Sequence, residues 1–220
     1  MNYLQNPAIM KHQWVEYATN VAGKVDHLSQ RVEAAQQVEH HIRTDTQGNP
    51  SRVYPFADPK VIVGQAGPQA KASNPIMVMG KSPAADSIAT GELYCGPAAN
   101  VLRKAFKDAG GDLDDHWLTY ATPWRPRKEN TPSTLQIALS RPLLLREIEL
   151  VQPRAIIVLG AKANDALFGE HPTMVEDQAT PSRHQEIPVV TIRNHGYMLR
   201  FPAHYPAWVD RIAKILGDYA

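Results

Sequence analysis

The sequence predicts an α/β fold: a three-layer α/β/α sandwich with a central, mainly parallel four-stranded sheet, plus an N-terminal helical extension. Two observations support this prediction. From residue 76 onward, short apolar runs alternate with stretches of helical spacing, and such alternation builds parallel sheets covered by helices on both sides. The run 155–160 is apolar at every position, as expected of a strand that is buried on both faces.

The 220-residue chain divides into three predicted regions, 1–45, 46–75 and 76–220. The first is the helical extension, because residues 12–42 contain no proline and carry apolar residues at nearly heptad spacing. This helix is expected either to pack on its own domain or to pair with a second copy of the chain as a homodimer.

The second region is rich in Gly, Pro, Asn, Asp and Ser, which predicts an irregular connector with one short strand at 60–63. It is either a flexible linker or an arm that lies across the domain. Apolar anchors for an arm are present at Val53, Tyr54, Phe56, Val61 and Val63.

The third region is predicted to form a domain of its own, and it begins with an apolar strand at 76–80 that ends in glycine. A helix follows at 97–109 and is stopped by two glycines. A second strand is predicted at 117–122. The next helix spans 132–151, with Thr131 as its N-cap and a proline just inside.

The remaining predicted elements are the strand 155–160, the helix 161–168, the strand 189–193 and the helix 207–216. In parallel sheets, ligands bind beyond the carboxyl ends of the strands. The segments at those ends are 80–96, 121–130 and 194–200, and we expect the functional site there.

Composition restricts the possible functions. With 23 basic and 22 acidic residues the formal charge is +1, so a strong overall field toward nucleic acid is absent, although a local basic face can still bind it. Cys95 is the one cysteine, which excludes an internal disulfide, a four-cysteine zinc site and an iron–sulfur cluster, and predicts a reducing compartment. No secretion signal or membrane-spanning run is present, so we expect a cytoplasmic protein without a membrane partner.

Four segments, in order along the chain, carry a family likeness. The first motif falls on Gly80, Pro83, Asp86, Gly91, Tyr94 and Gly96. The second lies around Arg125 and Pro126, the third is the long helix with the strand 155–160, and the fourth is RNHGYMLRFP at 193–202. Together they resemble the motifs of the uracil-DNA glycosylase superfamily, in particular its iron–sulfur branch.

The departures from the family pattern concern the chemistry. Lys81 stands where the family carries a carboxylate or amide that acts on a water near the sugar C1′. Tyr120 replaces the asparagine that reads the base, while Trp124 and Ser140 replace cluster cysteines and Cys95 lies elsewhere. We therefore expect no cofactor and no metal.

The resemblance implies a protein that recognises a flipped uracil or modified base in single- or double-stranded DNA and acts on its N-glycosidic bond. Catalytic roles would fall to Lys81, Asp86 and His195, or to Asn194 if the last motif is aligned without a gap. Substrate contacts would fall to Gly80, Ser82, Pro83, Tyr94, Gly96, Tyr120, Arg125 and Arg200.

Each of these residues also has a structural interpretation. Tyr94 is either a stacking platform for a base or a core tyrosine, and Asp86 either positions a water or is a solvated loop aspartate. Lys81 contacts a phosphate, neutralises an anionic leaving group, acts as a nucleophile or is a surface lysine. His195 either donates to a base oxygen that gains charge or is structural.

The loop with Trp124, Arg125, Arg127 and Lys128 is either a phosphate-contacting loop with an aromatic wedge or merely solvated.

Two other functions stay open beside the glycosylase. One is a catalytically inactive nucleic-acid-binding module, and the other is a transferase that modifies a DNA base in the same pocket.

Overall fold

The computed structural model describes residues 7–43, 60–70, 74–126, 131–169 and 182–220, with side chains from residue 12 onward. Several residues of the sequence analysis lie outside these ranges, namely Val53, Tyr54, Phe56, Arg127 and Lys128.

One sheet runs through the domain. Its strands are β1 (Gln65–Ala66), β2 (Ile76–Gly80), β3 (Trp117–Tyr120), β4 (Ala155–Leu159), β5 (Ser182–His184) and β6 (Ile187–Ile192). The order across the sheet is β1-β3-β2-β4-β6-β5. The four inner strands are parallel, as predicted, and β1 and β5 add short antiparallel edges.

The strand predicted at 60–63 is wrong. Those residues are not paired as a strand, and the ladder begins at Gln65, which lies opposite Leu118. Instead, Ile62 donates its backbone N–H to the carbonyl of Pro123 at 2.9 Å. A run of two residues is too short to show the alternating pattern by which strands are predicted.

The described helices are α1 (Pro7–Ala22), α2 (Arg31–Arg43), α3 (Ala85–Thr90), α4 (Pro97–Asp108), α5 (Thr134–Val151), α6 (Ala161–Phe168), α7 (His195–Arg200) and α8 (Tyr205–Asp218). One face of the sheet is covered by α4, α7 and α8, and the other by α5 and α6. None of the helices within the described ranges is both long and apolar enough to cross a membrane.

The start of α5 differs from the prediction. Its N-cap is Ser133, not Thr131: the Ser133 hydroxyl accepts from the backbone N–H of Gln136, and the Gln136 side chain accepts from the backbone N–H of Ser133 at 2.7 Å. This reciprocal pair satisfies two N–H groups that a helix start leaves free. Thr131 is thereby released for a contact in the functional site.

The single helix predicted over 12–42 is a helical hairpin. It bends at Gly23–His27, where the His27 ring and Gln30 form a second capping box. The bend folds the apolar stripe back on itself, so that Val21, Val25 and Val38 are buried against each other and Leu139 of α5. Of the two alternatives, packing on its own domain is the one observed.

His116 is a buried histidine directly before β3, 6% exposed and packed on the ring of Phe106. Burial lowers its pKa to about 4, so the folded chain resists a proton that the unfolded chain accepts near pH 6.5. Above pH 6.5 His116 therefore does not reduce the free energy of unfolding, and this free energy falls as the pH decreases from 6.5 toward 4.

We expect His116 to make the free energy of unfolding about 2 kcal/mol lower at pH 4.5 than at pH 7. His116→Phe should remove this part of the pH dependence, as measured by urea titrations at both pH values. An unchanged pH dependence in the variant would assign the acid sensitivity to other groups.

Candidate functional site

The candidate site lies at the carboxyl edge of the parallel strands. Chain order runs from β2 outward to β3 and then back across to β4, so the direction of winding reverses beside β2. Such a reversal opens a crevice at the strand ends, because the connecting helices pass to opposite faces. Lys81 leaves β2, Tyr94 enters from the loop before α4, and His195 leaves β6, and the three come together at this edge.

Lys81 is half-buried, and its backbone is fixed. Its carbonyl accepts from the backbone N–H of Thr122 at 3.0 Å and from the Thr122 hydroxyl at 3.2 Å. The Nζ atom donates to the hydroxyl of Thr131 at 3.3 Å. Burial, and next the positive charge of Arg200, lower the pKa of the Lys81 amine. The ammonium form is therefore less favoured here than in water.

His195 is the first residue of α7, and its ring lies edge-on to that of Tyr94 with 5.9 Å between centroids. The Nδ1 atom is buried and has no hydrogen-bond partner among the described residues. Burial, with a smaller effect of the Lys81 charge, lowers the pKa of His195 to about 4. The imidazole is then neutral at pH 7, with one N–H donor and one acceptor nitrogen.

Asn194 has a different position from its neighbour. Its Oδ1 accepts from the backbone N–H of Gly196 at 2.8 Å, and its Nδ2 donates to the carbonyl of Leu159 at 3.3 Å. The side chain thus caps α7 and ties that helix to the end of β4. Of the two residues left open by the last motif, His195 faces Tyr94 and Lys81, whereas Asn194 holds backbone.

Tyr94 is a buried residue, only 2% exposed, with a left-handed backbone at φ 53°. Its hydroxyl donates to the carbonyl of Thr119 at 2.9 Å, and burial raises the pKa of the phenol well above its ordinary value. Its ring packs on that of Tyr120 with centroids 4.9 Å apart. In this conformation Tyr94 packs as a core tyrosine, and stacking on a base would require neighbouring side chains to move.

Tyr120 supports the loop that carries Tyr94. Its hydroxyl accepts from the backbone N–H of Tyr94 at 2.8 Å and lies 3.2 Å from the hydroxyl of Ser87. Gly80 makes room for this packing, since a Cβ there would lie 2.9 Å from the Tyr94 hydroxyl and 3.2 Å from the Tyr120 ring. Ser87 was missed by the sequence analysis, because the six-residue α3 is too short for a helical period to be recognised.

Asp86 lies in the first turn of α3 and is exposed. Its carboxylate rests on Gly96, where a Cβ would come within 1.9 Å of Oδ2, and Gly96 has φ 86°. Gly96 is the N-cap of α4, so the carboxylate lies beside the positive end of that helix. No described contact joins Asp86 to Lys81 or His195. The neighbouring Ser82 and Pro83 are buried in the turn after β2.

Basic residues surround the edge of the site. Arg125 is half-buried after β3, and Arg200 is exposed at the end of α7. Arg193 was missed by the sequence analysis; its guanidinium lies 4.8 Å from the centre of the Tyr197 ring. Beside Arg200, Leu199 and Phe201 are large apolar side chains with 50% and 48% exposure.

The aromatic wedge predicted at Trp124 is wrong. The indole is fully buried and packs in the cluster formed by the helical hairpin and α5. The position is also one where the resemblance places a cluster cysteine. Ser140 is another, and its hydroxyl donates to the carbonyl of Gln136 at 2.6 Å inside α5. With Cys95 next to Glu92 on a separate loop, these residues do not fit an iron–sulfur cluster. Over the described ranges, no group of three or more His, Cys, Asp or Glu side chains is placed to hold a metal ion.

Comparison with known proteins adds a family to this geometry. A model of the uracil DNA glycosylase superfamily matches residues 59–215. A type-4 uracil-DNA glycosylase of Pyrobaculum aerophilum is 30% identical over 105 residues, which cover 46% of this chain and 54% of that protein. The type-4 enzyme of Sulfurisphaera tokodaii is 24% identical over 161 residues, covering 71% and 70%, and that of Thermotoga maritima is 27% identical over 103 residues, covering 47% and 52%. The chain thus spans about half the length of the first and third of these relatives.

Proposed function

Since the chain belongs to the uracil-DNA glycosylase superfamily, we propose that it recognises uracil or a modified base flipped out of DNA and acts on the N-glycosidic bond. Uracil and DNA come from the names of its relatives. The observation that carries the proposal is the meeting of Lys81 and the neutral His195, with its buried Nδ1, at the carboxyl edge of the sheet. A base that leaves the stack has to be held by polar groups in a binding site, and these two side chains would supply such groups.

His195 and Lys81 would stabilise the negative charge of the departing base in different ways. When the glycosidic bond breaks, the electron pair goes to the base, and negative charge develops on its ring and oxygens. The neutral His195 donates an N–H to such an oxygen, and an already oriented donor stabilises the developing charge without reorganisation. Lys81 lies on the same edge, and its positive form would neutralise the departing base. This scheme uses no carboxylate at position 81.

The surface near the site supports DNA as the partner. Arg200 and the half-buried Arg125 are suited to phosphate oxygens, which position DNA without reading its sequence. Leu199 and Phe201 are exposed on both sides of Arg200. Apolar side chains of this kind enter base steps and unstack them in proteins that distort DNA. We therefore propose that the end of α7 faces the duplex beside the flipped base.

The test is release of free base from oligonucleotides that contain uracil, hypoxanthine, xanthine or a 5-substituted pyrimidine. We expect release from at least one, and a loss of about 10²–10³-fold in rate for His195→Ala, as for other oriented donors. His12→Ala, at an exposed histidine of α1, serves as the matched control and should keep the rate. If DNA binds normally and no base is released from any substrate, the hydrolytic proposal fails.

A second candidate is a nucleic-acid-binding module without turnover. The packing of Tyr94 favours it, because a ring that is 2% exposed leaves no open stacking surface. It predicts salt-dependent binding that Lys81→Ala weakens, with no change in the DNA. A transferase would instead increase the mass of the substrate strand. We do not extend the proposal to a homodimer, since most of the apolar stripe considered for it is buried within the chain. A cytoplasmic location stays a prediction from the single cysteine.

A further inference from the structure

We propose that Lys81 is a nucleophile whose Nζ forms an imine with the C1′ aldehyde of an abasic site in DNA. The inference rests on the proposed function, because release of a base leaves an abasic sugar in the same site. It goes beyond that function, since hydrolysis of the glycosidic bond requires no covalent link between protein and DNA.

The position of the amine is the first argument. Lys81 directly follows β2, at the edge where ligands of parallel sheets bind. Ala121 donates its N–H to the Gly80 carbonyl at 2.7 Å, and Thr122 donates twice to the Lys81 carbonyl, at 3.0 and 3.2 Å. The backbone that carries the amine is therefore fixed between two strand ends. A nucleophile needs such restraint to meet the reacting carbon repeatedly in one geometry.

The surroundings of Nζ are the second argument. Its described polar contact is the uncharged hydroxyl of Thr131 at 3.3 Å, and no described carboxylate pairs with it. Three other lysines of the described ranges differ. Lys104, Lys162 and Lys214 each pair with an aspartate one helical turn away.

A partly buried amine beside another cation loses its proton more easily than one paired with a carboxylate. Burial and Arg200 both lower the pKa of Lys81, whereas Asp108 raises the pKa of Lys104. Desolvation and a neighbouring positive charge are the two means by which proteins activate lysine as a nucleophile. At Lys81 both are present on one side chain.

The covalent step balances without a further reagent. The neutral Lys81 amine attacks the aldehyde carbon of the ring-opened sugar, a C–N bond forms, and the carbonyl oxygen takes up a proton. The carbinolamine then loses that oxygen as water, so that amine and aldehyde give imine and water. We assign the exchange of that proton to the neutral His195 at the same sheet edge, because its buried Nδ1 has no described partner.

Reductive trapping tests the proposal on the full chain. An oligonucleotide with a preformed abasic site is incubated with the protein and sodium cyanoborohydride, which reduces an imine to a stable secondary amine. We expect a covalent protein–DNA adduct on a denaturing gel, and a modified peptide that contains Lys81. Lys81→Met and Lys81→Arg should lower the yield at least about tenfold, with DNA binding and thermal unfolding measured to show that each variant is folded.

Matched controls make the outcome specific. Lys162→Met, at a carboxylate-paired lysine, should trap like the unmodified protein, and DNA with a tetrahydrofuran in place of the abasic sugar has no aldehyde and should not react. An adduct that persists in Lys81→Met, that maps to another amine, or that never forms overturns the inference. Because the abasic site is made beforehand, this result is independent of base release. Release without trapping overturns the nucleophile alone, and trapping without release overturns the glycosylase alone.

Discussion

Trp124→Ala is expected to lower the free energy of unfolding by about 3–5 kcal/mol. Trp124 is fully buried, and its ring fills the space between the helical hairpin and α5. Removal of the indole would leave a cavity that apolar side chains from three helices cannot fill without moving their backbones. Its cluster partners include Trp14, Ala18, Val38, Ile42 and Leu139. Urea unfolding at neutral pH measures the change.

The same substitution should also affect the site. The carbonyl of Trp124 accepts from the hydroxyl of Thr122 at 3.3 Å, and Thr122 holds the Lys81 carbonyl. Trp124→Phe retains most of the apolar volume and serves as the control, with a smaller loss of stability and unchanged DNA affinity. A change below about 1 kcal/mol for Trp124→Ala would mean that the hairpin contributes little to the domain. The site would then be independent of it.

Trp124 also illustrates what the sequence does not contain. An aromatic residue followed by basic residues is typical of a DNA-contacting loop, and the prediction of a wedge rested on that pattern. Which side of a loop faces the core depends on the neighbours that cover it, here helices from more than eighty residues upstream in the chain. Local pattern carries no information on such a distant contact.

Regular elements were predicted more successfully. The strands β2 and β4 are fully apolar, and α4 has a helical spacing of apolar residues over three turns. The bounds of these elements, and those of the shorter α6, differ from the prediction by a residue at most. The hairpin was predicted as one helix because a heptad stripe looks the same whether the helix continues or folds back. Gly23 and the capping residues His27 and Gln30 are the local signals of the break.

The structure brings several of the predicted candidate residues together at the strand ends, whereas their individual contacts were predicted less well. Strand ends identified Gly80, Lys81 and the segment of His195, because that inference depends only on topology. Whether Asn194 or His195 faces the crevice depends on which of them caps α7. Asn194 Nδ2 donates a hydrogen bond to the carbonyl of Leu159, which lies on a different strand. The motif alone does not reveal this contact.

Glu147→Leu is expected to lower the free energy of unfolding by about 3–5 kcal/mol, because it leaves a buried charge without its partner. The Glu147 carboxylate accepts from the indole N–H of Trp117 at 2.8 Å and lies 3.3 Å from Nη1 of Arg31. The Arg31 side chain is only 12% exposed, and its guanidinium also covers the Trp117 ring. This group connects the hairpin, α5 and the sheet. Thermal and urea unfolding measure the loss.

The double variant Arg31→Met with Glu147→Leu distinguishes two contributions to this loss of stability. One is the loss of the ion pair itself, and the other is the cost of leaving the Arg31 guanidinium buried without a partner. If the cost comes from an uncompensated guanidinium, the double variant should recover most of the stability, because buried ion pairs are often replaced by apolar side chains at little cost. Lys214→Ala, which breaks an exposed pair with Asp218, is the control and should change stability by about 0.5 kcal/mol or less. A double variant no more stable than Glu147→Leu would contradict this account and assign the loss to the Trp117 hydrogen bond. Recovery would show instead that α2 is bound to the sheet as part of the same cooperative unit.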